Sequence, residues 1–528
     1  MTQTILKELL GDTDLNWDTP GHGGAPNTFT KTDSTGLASY SQERPSAYHV
    51  PVLDVPPVPG TGAQGSFDER LTGANKTVEN CIQELAKRGL AAYSFEGWGG
   101  QSGTGRSLAE CQRNTEVWSE IEAAAGSAGG VVFMPEMHYM FAQNGGLGGL
   151  YASHVLPWAS AGGLILVGGG STVLQLHAGS GVPTAFLHIA APTSNVVLSD
   201  FTLDRNTVAG GVELDISTAT ADVYNDIDII RVRTTETAPT FANTGANLCN
   251  RLRVQHSVFV GVGTMQVTGW LGALINDNNV PKGLSLKEGT TAGGSHRVTG
   301  NRLYGTGDIE VDGDKDIIIT GNSLASGIID LLSATESTVS ANTLFKGSIK
   351  YRNAGVSANT VTIVDNQINA TSSSEVSGIR IVSTAALDDL IVSRNKVTGA
   401  GESGIELTMS TAPMKRGQIT DNTLVNNCQS GEIGNIVLAS ADAAAGTRDY
   451  IITRNICRQT DILKLQSSGI VETATAAPDA YDQTWIYENL IQGYNVANEC
   501  VDAPECIYPT WGGADIWDAQ LDGGAGAV

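Results

Sequence analysis

The sequence predicts an all-β chain that folds as a single-stranded right-handed parallel β-helix of about ten coils. Three observations support this prediction. Glycine accounts for 63 of the 528 residues, whereas only 16% of residues are charged and 6% are aromatic, a composition typical of turn-rich β-structure. A short strand followed by asparagine recurs along the chain at regular intervals. A second apolar strand recurs between these asparagines.

The strand-plus-asparagine unit occurs eight times, first as VTGNRL and last as IYENLI, with asparagines at 301, 322, 342, 366, 395, 422, 455 and 489. The intervals are 20 to 34 residues and grow toward the C-terminus, a period typical of solenoids. Such short strands and frequent glycines indicate coils of three strands and turns, stacked in parallel at about 4.8 Å. Asparagine tolerates a left-handed turn and can bond to the next asparagine in a stack, so a structural role is predicted for all eight.

In the second strand, apolar residues flank a central one. Because side chains alternate along a strand, the flanking residues are expected to point inward and the centre outward. The predicted outward stripe is Glu213, Gln266, Ser285, Glu310, Asp330, Lys350, Arg380, Glu406, Val437 and Lys464. Outward positions of any solenoid are polar, so a merely solvated face is the alternative. Five consecutive centres are nevertheless charged, in the order acid, acid, base, base, acid.

Glu310 and Asp330 are predicted to project from adjacent coils as a catalytic pair. Glycoside hydrolysis uses two carboxylates at such separations, one as proton donor and one as nucleophile or base. The neighbouring Lys350 and Arg380 leave open the abstraction of a proton beside a uronate carboxylate, which needs a base and a cation. The predicted substrate-binding residues are Lys350, Arg380, Glu406, Asp308, Asp312 and Glu213. The run VDGDKD at 311–316 departs from a calcium loop, and no metal or cofactor is predicted.

Four regions are expected along the chain. Residues 1–75 lack a period and form an irregular head. Residues 76–128 hold two short helical patterns, around 78–86 and around Val117, Ile121 and Ala124, as a neck or cap. Residues 129–490 form one continuous β-helix. Residues 491–528 form a C-terminal cap or tail, where Trp511 and Trp517 cover the last coil or stack on sugars.

The balance of 55 acidic and 31 basic residues, a formal charge of −24, argues against a nucleic-acid partner, whose phosphates need a basic surface. The first ten residues lack the features of a signal peptide, and no apolar run is long enough to span a bilayer. Synthesis in a cytoplasm is therefore expected, where the seven cysteines remain thiols. A disulfide between Cys500 and Cys506 stays open.

Three segments follow the second helical pattern in a fixed order: GGVVFMP at 129–135, GGGSTVL at 168–174 and NVVLSDFTLD at 195–204. This series resembles the opening of pectate-lyase-like β-helix proteins, which many phage tailspikes share, and the resemblance covers roughly residues 76–490. One departure is visible. The acidic pair that begins the first helix of the family is absent, and RNTEVWSEIEAAA stands there at 113–125.

The resemblance implies a homotrimeric tailspike in the virion tail that adsorbs to host cell-surface polysaccharide and hydrolyses it. Its head would attach to other phage tail proteins. Two alternatives remain open at this stage: a non-catalytic receptor-binding or structural spike, and a bacterial polysaccharide lyase or epimerase.

Overall fold

The computed structural model describes residues 91–492 with short gaps, and four strands outside that range. The gaps are residues 136, 191, 221, 281, 288–293, 314, 354–357, 371–376, 412, 429–433, 441–445, 461–467 and 475–484. The chain divides into two compact units: unit 1 comprises residues 1–245 and 249–262, and unit 2 comprises residues 246–248 and 263–528. The helical pattern at 78–86 and the C-terminal residues 502–528 lie outside the described residues.

Three strands are described within the predicted head, Leu15–Trp17, Thr28–Asp33 and Gly36–Ser41, and they form an antiparallel sheet. The sequence did not predict them. Asp33 pairs with Gly36 across a very short connection, and backbone hydrogen bonds of this kind need no periodic apolar side chains. The prediction of an irregular head is therefore incomplete at these strands.

An α-helix spans Leu108–Ala125, where the second helical pattern was predicted. It begins with a capping box: the Glu110 N–H donates to Ser107 Oγ, and the Ser107 N–H donates to the Glu110 carboxylate. Val117, Trp118 and Ile121 are fully buried. Trp118 Nε1 donates to the Pro157 carbonyl oxygen at 2.7 Å. The helix thus supplies donors to an edge strand of unit 1, which would otherwise be open to pairing.

From residue 91 onward, the strands of unit 1 pair in parallel and belong to two sheets. Those of sheet I are His154–Trp158, Ala185–Ile189, Val212–Thr218 and Thr240–Asn243. Those of sheet II are Ala91–Ser94, Gly130–Met134, His138–Phe141, Leu164–Leu176, Ser194–Asp204, Asn225–Ile230, Arg233–Thr234, Cys249–Gln255 and Val258–Phe259. Short 3-10 helices lie at Gly126–Ala128, Gly145–Leu147 and Gly149–Ala152.

The chain of unit 2 runs in coils through three parallel sheets, as predicted for a parallel β-helix, and three of these coils contribute two short strands to sheet II. Sheet I contains Met265–Thr268, Gly283–Lys287, Asp308–Asp312, Ile328–Leu332, Ser348–Asn353, Ile379–Ser383, Ile405–Met409, Gly434–Ser440, Ser468–Ala474 and Val496–Val501.

The other two sheets of unit 2 have shorter strands. Sheet II contains Trp270–Leu271, Leu274–Asn276, Arg297–Thr299, Lys315–Thr320, Thr335–Ser340, Ala358–Val364, Leu387–Ser393, Pro413–Lys415, Gln418–Thr420, Gly446–Arg448, Ile451–Thr453 and Trp485–Tyr487. Sheet III contains Arg302–Leu303, Ser323–Leu324, Thr343–Phe345, Gln367–Asn369, Lys396–Thr398, Thr423–Val425, Ile456–Arg458 and Leu490–Gln492.

The core of unit 2 consists of inward columns of like residues. In sheet I one column contains Leu284, Ile309, Ile329, Ile349, Ile379, Ile405, Ile436 and Ile470, each in register with the next. All of these side chains are at most 1% exposed. Burying one such side chain stabilises the fold by roughly 1.5–3 kcal/mol, and stacked neighbours share that core because no single coil can enclose it.

The asparagine ladder is confirmed and has one more member, Asn278. Each asparagine from 278 to 455 donates its backbone N–H and its Nδ2 to the Oδ1 of the next one, at 2.9–3.1 Å. The left-handed turn was placed one residue too late. The positive φ belongs to the preceding residue, such as Ala341 (53°) or Asp365 (58°), which leaves the asparagine side chain free to point inward.

Among the described residues, no helix is long and apolar enough to cross a membrane. Cys111, Cys249, Cys428 and Cys457 are buried and form no disulfide. The Cys500–Cys506 question involves side chains outside the described residues.

Candidate functional site

From Gln266 to Val437, the predicted stripe lies on the outward side of sheet I in unit 2. Ser285, Glu310, Asp330, Lys350, Arg380, Glu406 and Val437 are direct neighbours in the strand register, in that order. The last predicted member is wrong, because Val437 pairs with Val471 and not with Lys464, which lies outside the described residues. The coils lengthen toward the C-terminus, and there the apolar triplet LKL was mistaken for the strand.

A second outward column runs beside the first, two residues further along each strand. Lys287, Asp312, Leu332, Arg352, Val382 and Thr408 are neighbours in this column. Asp308 lies in a third column on the other side, in register with Gly283, and its carboxylate accepts from the N–H of Ile328 on the next coil. We call the charged face the set Asp308, Glu310, Asp312, Asp330, Lys350, Arg352, Arg380 and Glu406, with Lys287 at its edge.

Asp330 is nearly buried, with 8% of its surface exposed. Both of its carboxylate oxygens accept from Arg352, Nε at 3.1 Å and Nη2 at 2.6 Å. This two-point ion pair fixes the Asp330 carboxylate and satisfies it. Sequence reasoning missed Arg352 because only the central residue of each strand was considered.

Glu310 lies one coil before Asp330 and is far more accessible, with 48% of its side chain exposed. Its Oε2 accepts from Ser285 Oγ at 3.1 Å, and Lys287 Nζ lies 3.8 Å away from the same oxygen. Glu310 therefore has one oxygen held by the preceding coil and a second that accepts no hydrogen bond from the described residues. Asp312 follows it on the same strand, between Lys287 and Leu332 in register.

Asp308 differs from both, because its pKa is raised above the ordinary value of an aspartate. Partial burial of the carboxyl group is the main cause, and the charges of Asp330 and Glu310 add to it, although Asp308 keeps part of its surface in solvent. The Ile328 N–H, which donates to Asp308 Oδ1 at 2.7 Å, and the Lys350 charge oppose this rise. Asp308 therefore keeps its proton to a higher pH than an ordinary aspartate does.

The C-terminal part of the charged face is an ion-pair cluster. Arg380 lies 3.3 Å from Glu406 Oε1 and 3.8 Å from Glu402 Oε2. Ser377 Oγ donates to one carboxylate at a time and lies within hydrogen-bond distance of both. Glu402 was missed because it lies in the turn before its strand, where no period marks it. Lys350 lies in register between Asp330 and Arg380.

Glu213, predicted to face outward for substrate, does not do so. It belongs to unit 1 and is fully buried. Its carboxylate accepts from the backbone N–H groups of Thr235, Glu236 and Thr237 at 2.8–3.0 Å. The turn 235–237 covers the strand centre, which alternation alone does not reveal. Burial raises the pKa of Glu213, and these backbone donors oppose the rise.

The charged face can therefore supply acid–base chemistry. Three carboxyl groups on two neighbouring coils have unlike surroundings: Asp308 accepts from a backbone N–H and has a raised pKa, Glu310 accepts from Ser285, and Asp330 is ion-paired with Arg352. Such differences allow acid and base roles to be divided between carboxyl groups. Within the described residues, no group of three His, Cys, Asp or Glu side chains is placed to hold a metal ion.

No protein-family model matches the chain, and no curated protein matches it in sequence. Solved structures do match. They include the A-module of the Azotobacter vinelandii mannuronan C-5 epimerase AlgE6, at 15% identity and a TM-score of 0.36, covering 78% of this chain and 97% of that one. The Dettilon tailspike protein matches at 12% identity and a TM-score of 0.38, covering 78% of this chain and 68% of that one. PfbA, a surface adhesin of Streptococcus pneumoniae, matches at 12% identity and a TM-score of 0.30, covering 78% of this chain and 92% of that one. At these identities and TM-scores, none of these similarities carries an argument about the role of this chain.

Proposed function

We propose that the charged face binds a polysaccharide of a bacterial cell surface and hydrolyses its glycosidic bonds. The observation that supports this proposal is the placement of Asp308, Glu310 and Asp330 on two neighbouring coils in unlike surroundings. Hydrolysis needs one carboxyl group that protonates the leaving oxygen and another that attacks the sugar or activates water.

In this proposal Asp308 is the proton donor, because its raised pKa keeps it protonated at a higher pH than an ordinary aspartate. Glu310 is the nucleophile or base, since it is exposed and has an oxygen left for substrate or water. The two lie on one strand, two residues and hence about 6.7 Å apart along the backbone, within the range that glycosidases use. Asp330 supplies a fixed negative charge beside Asp308 and remains a candidate for the second carboxylate.

Lys350, Arg380, Glu406 and Asp312 extend the face on both sides of these carboxyl groups. Their role in the proposal is to bind the sugar units on either side of the scissile bond. Cations and acids on one face offer partners to hydroxyl, amide and acidic substituents alike. The register places Lys350, Arg380 and Glu406 on successive coils about 4.8 Å apart, whereas Asp312 lies on the strand of Glu310.

A second candidate is a spike that binds polysaccharide without cutting it. The ion pair favours this reading, because Arg352 already occupies both oxygens of Asp330 and Lys287 approaches Glu310. Carboxylates whose charges are neutralised by neighbouring cations can bind a sugar without taking part in cleavage of its glycosidic bond.

We also propose the biological setting that the sequence resemblance implies: a homotrimeric tailspike in a virion tail, with residues 1–75 bound to other tail proteins through the apolar stretch from Val50 to Val58. Deletion of residues 1–60 is expected to leave a soluble, trimeric β-helix that no longer joins phage particles. Particle association of the truncated protein would place attachment elsewhere. Failure of the truncated protein to fold would show that the deleted residues belong to the core.

The catalytic proposal is tested with purified protein and a panel of bacterial capsular polysaccharides and lipopolysaccharide O-chains. The wild type is expected to release reducing ends without unsaturated products. Asp308→Asn and Glu310→Gln are expected to lower turnover by orders of magnitude, whereas Glu336→Gln, an exposed carboxyl on sheet II, leaves it unchanged. Full activity in both site variants would remove these carboxyl groups from the mechanism. Binding without cleavage by the wild type would establish the non-catalytic spike instead.

A further inference from the structure

Two exposed aromatic rings lie beside the charged face, on sheet III of unit 2. Tyr304 is 43% exposed and Phe345 is 48% exposed. Large aromatic side chains are normally buried because they carry much apolar surface. Apart from these two, Trp485 is the one aromatic ring that is similarly exposed in the described part of the chain.

The two rings belong to one outward column. Leu303, Leu324 and Leu344 are in register and buried, so the residues that follow them, Tyr304, Ala325 and Phe345, occupy equivalent positions on successive coils. The Ala325 N–H donates to the Leu303 carbonyl oxygen, which continues this register. The two aromatic residues are therefore two coils apart, about 9.6 Å, with a small alanine between them.

These three coils are the same ones that carry the proposed site. The coil of Tyr304 continues into Asp308 and Glu310, and the coil of Phe345 continues into Lys350 and Arg352. The intervening coil carries Asp330. Each ring thus precedes the charged face by only a few residues of chain.

Gly307, Gly327 and Gly347 stack at the corner between the rings and the charged face, one per coil. A Cβ on Gly327 would collide with the Gly307 carbonyl oxygen, and a Cβ on Gly347 would collide with that of Gly327. The glycines therefore let successive coils approach closely at this corner. The exposed Lys346, which precedes Gly347, adds a polar side chain between Phe345 and the charged face.

We infer that Tyr304 and Phe345 form a stacking platform for pyranose rings of the polysaccharide that the charged face binds; this inference rests on the proposed function. The apolar faces of sugar rings pack against aromatic rings, and a spacing of about 9.6 Å, two strand spacings, is close to the length of a disaccharide unit. The occupant is a carbohydrate rather than a protein, because the small Ala325 separates the two rings and the column continues after Phe345 with a polar residue: Asn369 is in register with Phe345 and is exposed.

The test compares the double variant Tyr304→Ala/Phe345→Ala with the wild type and with Trp485→Ala. Trp485 is a matched control, since its ring is 46% exposed on sheet II of the same unit. Affinity is measured against the polysaccharide of the panel that the wild type binds. Losing each ring is expected to weaken binding about three- to tenfold, with KM raised and kcat little changed. Tyr304→Trp/Phe345→Trp should restore affinity, and its fluorescence should change on binding.

Equal affinity of the double alanine variant and the wild type would overturn the platform while leaving the proposed function intact. The platform would also be overturned if the double alanine variant and Trp485→Ala lost the same affinity, since removal of any exposed aromatic ring would then have that effect. A change of oligomeric mass in the double variant would assign the rings to a contact between copies instead. If the wild type binds no member of the panel, the proposed function fails and the platform with it.

Discussion

Substitution of Asn342 by alanine is expected to break the asparagine ladder at its middle. Asn342 Oδ1 accepts from the backbone N–H and the Nδ2 of Asn322, both at 2.9 Å. Asn342 Nδ2 donates to Asn366 Oδ1 at 2.9 Å and to the Ile319 carbonyl oxygen at 3.0 Å. The residue is 1% exposed, so water cannot replace these partners in the folded state.

The magnitude follows from what the substitution leaves unpaired. Asn366 Oδ1 keeps a donor, the backbone N–H of residue 342. Asn322 loses the acceptor of its backbone N–H, but its Nδ2 retains bonds to the carbonyl oxygens of Val298 and Thr320. One buried backbone donor without a partner costs about 1–3 kcal/mol, and the three other lost bonds cost roughly 0.5 kcal/mol or more each. The expected total is about 3–4 kcal/mol.

The assay is denaturant unfolding, with the unfolding rate measured as well because a large repeat protein can unfold irreversibly. Thr343→Ala is the control, since Thr343 is the next residue on the outer surface and should change stability by less than about 0.5 kcal/mol. Asn342→Asp restores the acceptor but places a carboxylate against Asn366 Oδ1, so it should destabilise more at pH 7 than at pH 4. Equal stability of Asn342→Ala and Thr343→Ala would refute the reasoning that the ladder is held by these bonds.

Three further outcomes are expected. Glu213→Ala removes the acceptor of three backbone N–H groups and should destabilise unit 1 by about 3–5 kcal/mol in urea unfolding; a loss under about 1 kcal/mol, as for Glu336→Ala, would contradict this. Asp308 has a raised pKa in the folded state. The free energy of unfolding of the wild type should therefore fall relative to that of Asp308→Asn as pH rises from about 4 through that pKa. If the two proteins instead show parallel stability curves from pH 3 to 7, the environment of Asp308 is ordinary. Gly347→Ala should cost about 1–3 kcal/mol of stability through collision with the Gly327 carbonyl oxygen, whereas Gly145→Ala, with open space around its Cα, should be neutral in thermal unfolding.

The coil architecture could be predicted from the sequence because two residue patterns recur in the coils. An inward isoleucine and a buried asparagine recur once per coil, and together they set the register. That register placed Glu310 beside Asp330 and Lys350 beside Arg380 correctly. Asn278 carried the same signal in IND before it, similar to VTG before Asn301, and was overlooked although the sequence offered it.

The partners of the charged side chains were harder to predict than their positions. Arg352 binds Asp330 from two residues beyond the strand centre and one coil away, a diagonal relation that needs the actual rotamers. Glu402 precedes its strand, in a turn of irregular length. Glu213 has the same apolar flanks as Glu310, yet the turn 235–237 folds over it. Only the length and path of that turn separate a buried carboxylate from an exposed one.

These differences have a common physical origin. Inward residues and the ladder interact mainly with equivalent positions on the coils above and below, so their environment repeats and a repeating pattern predicts it. Outward residues meet whatever turns and side chains neighbouring coils supply, and those vary from coil to coil. Stability and recognition are consequently carried by different side chains of the same strands. Substitutions of Glu310, Tyr304 or Phe345 should therefore alter polysaccharide recognition at little cost in stability, whereas substitution of Ile309, Asn322 or Leu344 should do the reverse.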